Sequence, residues 1–132
     1  MEDRYLFRGK YSSTGEWLVG NLVEYAGTSQ IWVQTDNGKW NYIVDPATVG
    51  QCTAIRDAND ALIFEGDIVR FTSRVSPYSE KVGFVAWRRG QYSIYCGSER
   101  SLHMYDFDEL VVKRIEIIGN VHDNSELLEV GG

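Results

Sequence analysis

Apolar and polar positions alternate in short runs along most of this chain, and the period is two. That period belongs to strands, whose successive side chains point to opposite faces. Tyr5-Leu6-Phe7-Arg8-Gly9-Lys10 predicts a first strand, and Thr14-Gly15 suits the turn after it. Glu16 to Tyr25 predicts a long strand, bent near Gly20. Ala26 to Ser29 turns the chain into a strand over Gln30 to Gln34. Asp36-Asn37-Gly38-Lys39 is the strongest hairpin turn, because Asn-Gly accepts the positive φ values of a two-residue loop. Trp40 to Val44 pairs back, giving an antiparallel meander.

Asp45-Pro46 ends that run, since proline restricts both itself and its predecessor. Thr48 to Ile55 predicts a further short strand and Asp57 to Asp60 a turn. Leu62 to Phe71 then carries a sharp Gly66-Asp67 turn into an alternating strand. In that turn the Asp67 carboxylate is placed to accept backbone N–H bonds. Val82 to Trp87, Tyr92 to Cys96 and Ile115 to Val121 read as strands. Tyr105 to Leu110 reads as a helical turn or a loop, and Ser125 to Val130 as a short helix or a tail. Gly131-Gly132 is expected to fray. There is no long amphipathic helix. The expected fold is mainly β, with two small barrel-like subdomains. Residues 1–58 form the first, and residues 59–132 form a second that packs with it as one unit.

A length of 132 residues suffices for one ordinary core or two very small ones. Four Trp, eight Tyr and five Phe favour strands, and thirteen Gly favour tight turns. The formal charge of −6 argues against a chain devoted to gripping phosphate backbones. One piece departs from that balance. Between Asp67 and Gly90 stand five bases against two acids, a local surplus of +3. Solubility of strand edges and loop is the plain reading of that surplus.

Cys52 and Cys96 are the only cysteines and sit in no CxxC frame. They read as buried free thiols; a disulfide between them has no support in the pattern. No secretory leader precedes them, and a cytoplasmic setting is expected. No apolar run approaches the ~20 residues of a membrane span.

Little in the chain resembles a reaction centre. His103 and His122 lie 19 residues apart, with no metal-ligand spacing between them. Cys96, His103, Asp106 and Asp108 match no known metal geometry. Asp106, Asp108 and Glu109 read as a solvated loop, and no nucleophile elbow surrounds Ser98 or Ser101 beside His103. There is no GxGxxG or phosphate loop. No enzyme activity, cofactor or metal is expected.

Aromatic residues offer contact surface instead. Periodicity places Trp32 opposite Ile31 and Val33, and puts Trp40 and Tyr42 on a common face. Trp32, Trp40 and Tyr42 are the candidate interface residues, for a second copy or another protein. The alternative is nucleic-acid binding through the basic segment 70–89. There Arg70, Arg74, Lys81, Arg88 and Arg89 would meet phosphates, and Trp87 or Tyr92 would stack on bases.

Several blocks, in order, resemble the YopX family of bacteriophage and prophage proteins. They are Phe7-Arg8-Gly9-Lys10, Gly15 to Gly20, Val44 to Thr53, Asp57-Ala58-Asn59, Ile63 to Val69, Val82 to Trp87 and Ile115 to Leu128. Each block is weak alone; their order across nearly the whole chain is specific. The chain departs from the usual pattern at Thr53-Ala54-Ile55-Arg56-Asp57 and at Ala58-Asn59-Asp60, which alters turns more than fold. The resemblance implies a mostly β protein with two barrel-like parts, the second similar to an SH3-type barrel. It also implies an intracellular life in a bacterial host. It carries over no catalytic residue. The leading expectation is a non-enzymatic phage accessory protein that binds another protein or itself.

Overall fold

The computed structural model describes residues 3–75, 79–98, 101–108 and 111–130. Glu109, Leu110 and the Gly131-Gly132 end, all named above, lie outside the described residues. The chain divides into two compact units, Met1–Ala54 and Ile55–Gly132.

After a 3-10 turn at Asp3–Tyr5, the first strands are β1 (Phe7–Lys10), β2 (Trp17–Tyr25), β3 (Thr28–Thr35) and β4 (Gly38–Val44). A 3-10 turn over Pro46–Thr48 leads into β5 (Gly50–Arg56) and β6 (Leu62–Phe64). Asp45 caps that turn, its carboxylate accepting the Ala47 N–H at 3.0 Å. The Gly66-Asp67 turn opens β7 (Asp67–Ser73), followed by β8 (Glu80–Arg88), β9 (Gln91–Ser98), β10 (Ser101–Asp106) and β11 (Val112–Asn120). A short helix, α1, spans Glu126–Val130.

The pairs β1–β2, β1–β5, β2–β3, β3–β4, β7–β8, β8–β9, β9–β10 and β7–β11 are antiparallel, in sheets ordered β4-β3-β2-β1-β5-β6 and β10-β9-β8-β7-β11. These orders overturn the barrel expectation for both halves, including the SH3-type barrel. Closure requires the first and last strands of a sheet to pair, which removes both edges. Among the described residues β10 bonds only to β9 and β11 only to β7, so both remain edges of an open sheet. β4 and β6 bound the other sheet, with Tyr11, just beyond β1, bridging Val44 at one end of β4. Short runs and bending glycines are common to barrels and open meanders, so the sequence pattern does not separate them.

The turns refine the pattern further. Gly38 has φ +115°, while Asp36 and Asn37 keep ordinary φ. The tight loop is therefore Asp36-Asn37, closed by the Thr35–Gly38 pair, with the positive φ at Gly38 instead of an Asn-Gly pair at its centre. Ala26-Gly27 and Arg89-Gly90 each have two positive φ values, the signature of a primed hairpin turn. β10 covers Ser101–Met104, which the pattern assigns to no element, and its last residues, Tyr105 and Asp106, are strand where the pattern gives the start of a helical turn or loop.

The first unit buries Ile31, Val44 and Cys52. The second has a larger core of Ile63, Val69, Phe71, Val85, Ile94, Cys96 and Val112. Asp67 is buried at the entrance to β7, and its Oδ2 accepts the Phe64 N–H at 2.7 Å. A buried carboxylate used as a turn clasp satisfies an amide that the sheets leave unpaired.

Neither cysteine is in a disulfide, and both are buried. Burial pushes the Cys96 thiol up to about 11, and the nearby Lys81 charge only partly opposes it. The thiolate is the reactive form, so at neutral pH about one part in ten thousand is available. Native protein at pH 7 is expected to leave Cys96 unlabelled by an aromatic disulfide reagent, with full labelling in denaturant. Rapid labelling of Cys96 in the native state would contradict its placement.

Candidate functional site: an apolar sheet face and a cationic groove

Cross-strand partners share a face of a sheet, so register decides which side chains meet. Trp32 lies opposite Asn21 and Asn41, while Ile31 lies opposite Tyr42 and Val33 opposite Trp40. Trp32 therefore occupies one face of the sheet, and Trp40 and Tyr42 occupy the other. The three candidate interface residues form no single patch. Tyr42 packs edge-on against Tyr11 at 5.2 Å between ring centroids, and Trp40 is 52% exposed.

Trp32 has different company. By alternation, Val19, Val23 and Ile43 lie on its face, and all four are 36% to 49% exposed. This apolar set was missed because Val19, Val23 and Ile43 fall inside runs that read as ordinary strand interior. Beside it runs the β4 edge. Ser12 N–H donates to the Ile43 carbonyl at 3.0 Å and Tyr11 bridges Val44, which closes one end of that edge. The Ile43 carbonyl faces outward, so by the same alternation the backbone groups of Lys39 and Asn41 do too. They meet no strand among the described residues.

The basic segment does not converge. Arg70 is held by Glu116 at 3.1 Å and Glu80 at 3.8 Å. Arg88 lies over the Tyr95 ring at 4.6 Å, and Arg89 sits in the hairpin turn with φ +55°. Trp87 packs edge-on against Tyr92 at 4.7 Å, on the face opposite Arg88. Lys81 pairs with Phe71 near the start of β8. Arg74 follows β7 at that same end. The nine residues of β8 separate Arg74 from Arg88 and Arg89 by about 27 Å.

Arg74 instead lines a groove of about 450 Å³ in the second unit. Ile55, Phe107, Val112 and Ile115 give it an apolar lining, and Arg56, Arg74, Lys113 and Arg114 supply positive charge against Asp57 and Asp108. A smaller cavity of about 280 Å³ is lined by Thr72, Ser73, Arg74 and Lys113. The β11–β7 register shifts between Lys113 and Glu116, and Arg114 there has φ +54°. A left-handed arginine is a strained backbone, the kind that clusters at binding sites.

The loop before β6 is pinned to this bulge. Ala58 N–H donates to the Ile115 carbonyl at 2.7 Å. Asp57 Oδ2 accepts the Ile117 N–H at 3.0 Å, and its Oδ1 accepts from Asn59 and Ala61, each at 2.9 Å. Burial alone would raise the Asp57 pKa, but these amides together outweigh it and hold the carboxyl below its ordinary 3.8. A lowered folded-state pKa contributes stability that is present above the unfolded pKa and lost as pH falls through the folded one. Asp57→Asn would turn an NH2 group toward one of these donors. It is expected to cost about 1–2 kcal/mol at neutral pH and to flatten the acid limb of the stability profile. Urea unfolding between pH 2 and 7 measures both effects. An unchanged acid limb would remove Asp57 from this role.

The remaining polar residues stay scattered. His103 is exposed on β10 opposite Cys96, and Asp106 is on the other face of that strand, where it accepts from Gln91 Nε2 at 2.9 Å. Asp108 belongs to the groove. The side chains of Ser98 and Ser101, like Glu109, lie outside the described residues. His122 is exposed, its backbone N–H bonded to Asn120 Oδ1 at 3.0 Å. Among the described residues no three His, Cys, Asp or Glu side chains gather as a metal requires. No helix among them is long and apolar enough to cross a membrane.

The crystal structure of protein EF1440 from Enterococcus faecalis is similar to this chain, with a TM-score of 0.51 and 20% identity. The match covers 92% of this chain and 96% of that one, and at such identity it speaks for the fold alone. No curated protein matches the sequence. The model of the family described as YopX protein matches residues 6–129, which takes in every ordered block from Phe7-Arg8-Gly9-Lys10 to Ile115–Leu128, and the chain belongs to that family.

Proposed function

We propose that this YopX family member is a non-enzymatic, phage- or prophage-encoded accessory protein that acts by self-association in its bacterial host's cytoplasm. The observation that carries the reading is the exposed apolar set of Val19, Val23, Trp32 and Ile43 beside the Lys39 to Asn41 stretch of the β4 edge, which meets no strand among the described residues. Edge strands are normally blunted by proline, inward charge or bulges. β4 has no proline, its one charge is Lys39, and its register with β3 runs unbroken from Thr35–Gly38 to Ser29–Val44. Two β4 edges paired antiparallel would make a two-fold contact and extend the sheet from one copy to the next. The apolar face would then continue across the junction. A patch of this kind on a chain of net charge −6 favours a neutral apolar contact over a charged one.

Light scattering after size exclusion tests the reading. The wild type is expected to form a dimer with Kd on the order of micromolar. Asn41→Pro should weaken it by removing an edge donor, whereas Trp32→Lys, on the face that the junction leaves uncovered, should not, with thermal unfolding confirming that both variants stay folded. A wild type that remains monomeric at every accessible concentration overturns the proposal. So does a dimer that Asn41→Pro does not weaken.

A further inference from the structure

The groove between the Asp57 loop and the β11 bulge and the smaller cavity share Arg74 and Lys113, as two lobes of one site would, and they differ in chemistry. Among the described residues the smaller is lined by Thr72, Ser73, Arg74 and Lys113; the Ser73 hydroxyl donates to the Val75 carbonyl at 2.8 Å, which leaves the Thr72 hydroxyl and two cations as its polar groups. The larger adds apolar walls, among them the Phe107 ring. Arg74 and Lys113 line both lobes. The described residues of the larger lobe include four cations and two carboxylates; Arg56 is paired with Asp60 at 3.8 Å, which leaves a surplus of +1 on a chain of net charge −6. One of those carboxylates, Asp57, already accepts three backbone amides.

We propose that this groove binds a nucleotide, with its phosphate at Arg74 and Lys113 and its base in the larger lobe against Phe107. A polar cationic lobe suits a phosphate, which takes several charge-assisted hydrogen bonds at once. An apolar lobe with an aromatic wall suits a planar ring. The volume of about 450 Å³ falls in the range of small-molecule sites and is too small for a folded partner. The bulge contributes by turning Arg114 toward the lining, at the cost of its left-handed backbone. Arg70 is absent from both linings and is engaged by two glutamates, so it plays no part here.

Isothermal titration calorimetry of the full chain tests the assignment with four probes. These are the four ribonucleoside monophosphates as a panel, inorganic phosphate, adenosine, and a 5′-phosphorylated tetranucleotide. At least one monophosphate is expected to bind about tenfold more tightly than phosphate or adenosine alone, because only it fills both lobes. The tetranucleotide separates the two sources of that chemistry: tighter binding than the monophosphate assigns the site to a nucleic-acid 5′ end, and weaker binding to a free nucleotide. Arg74→Ala and Lys113→Gln should each weaken binding about tenfold, and a matching melting temperature would show that the fold survives. Absence of monophosphate binding, binding no tighter than phosphate, or binding untouched by both variants overturns the proposal.

Discussion

Gly20→Ala is expected to disrupt the first sheet more than any other single-methyl change in that unit. A Cβ at this position would lie 2.0 Å from the Trp32 carbonyl oxygen and 2.9 Å from its carbon. Both atoms are backbone, so no rotamer change relieves the clash. Gly20 is also where β2 changes partners: Phe7 pairs with Gly20, and Asn21 pairs with Trp32. The strand passes there from one neighbour to the next, and relief requires β3 to move away. Overpacking of this kind costs about 3 kcal/mol or more. Urea unfolding followed by tryptophan emission measures the loss, because Trp17, Trp32 and Trp40 all belong to the first unit. A variant as stable as the wild type would show that β2 and β3 do not approach so closely at this point.

That close approach was partly legible in the sequence, where a bend near Gly20 follows from a glycine inside an alternating run. Most strand positions are legible for the same reason, since alternation and turn residues both act locally. β10 is the exception. Leu102 and Met104 are exposed, whereas Tyr105 packs on Phe71 at 5.2 Å. An edge strand with apolar side chains facing solvent gives no inward stripe to read. Sheet closure was not legible either, because it depends on which distant strands pair, and local periodicity is silent on that.

The groove shows a subtler limit. Val112 and Ile115 both line it, and they are three residues apart where a regular strand would space like faces by two. Lys113-Arg114 between them is the mark of an inserted residue, and the register shift falls there. That signal was available in the sequence. What joins it to Arg74 and Phe107 is not, since those residues come from other elements of the second unit. The basic surplus between Asp67 and Gly90 shows the converse. Residues near in sequence along a strand such as β8 are carried to opposite ends and opposite faces.

Phe71→Ala should produce the largest loss of stability in the second unit. Phe71 is 1% exposed and belongs to the core with Val69, Val85, Ile94 and Val112. Its ring meets Tyr105 edge-on, so truncation removes an aromatic pair as well as buried area. Strands on both sides restrain collapse, because β7 pairs with β8 on one side and with β11 on the other. A cavity that cannot close costs about 3–5 kcal/mol for Phe→Ala. Trp87 is the only tryptophan in this unit, so its emission in a variant with the other three replaced by phenylalanine isolates the effect. Phe71→Leu retains most of the volume and is expected to cost well under half as much. Equal losses for the two variants would mean that ring shape against Tyr105, rather than filled volume, holds this core together; a loss below about 1 kcal/mol for Phe71→Ala would mean that the sheet can close over the missing ring.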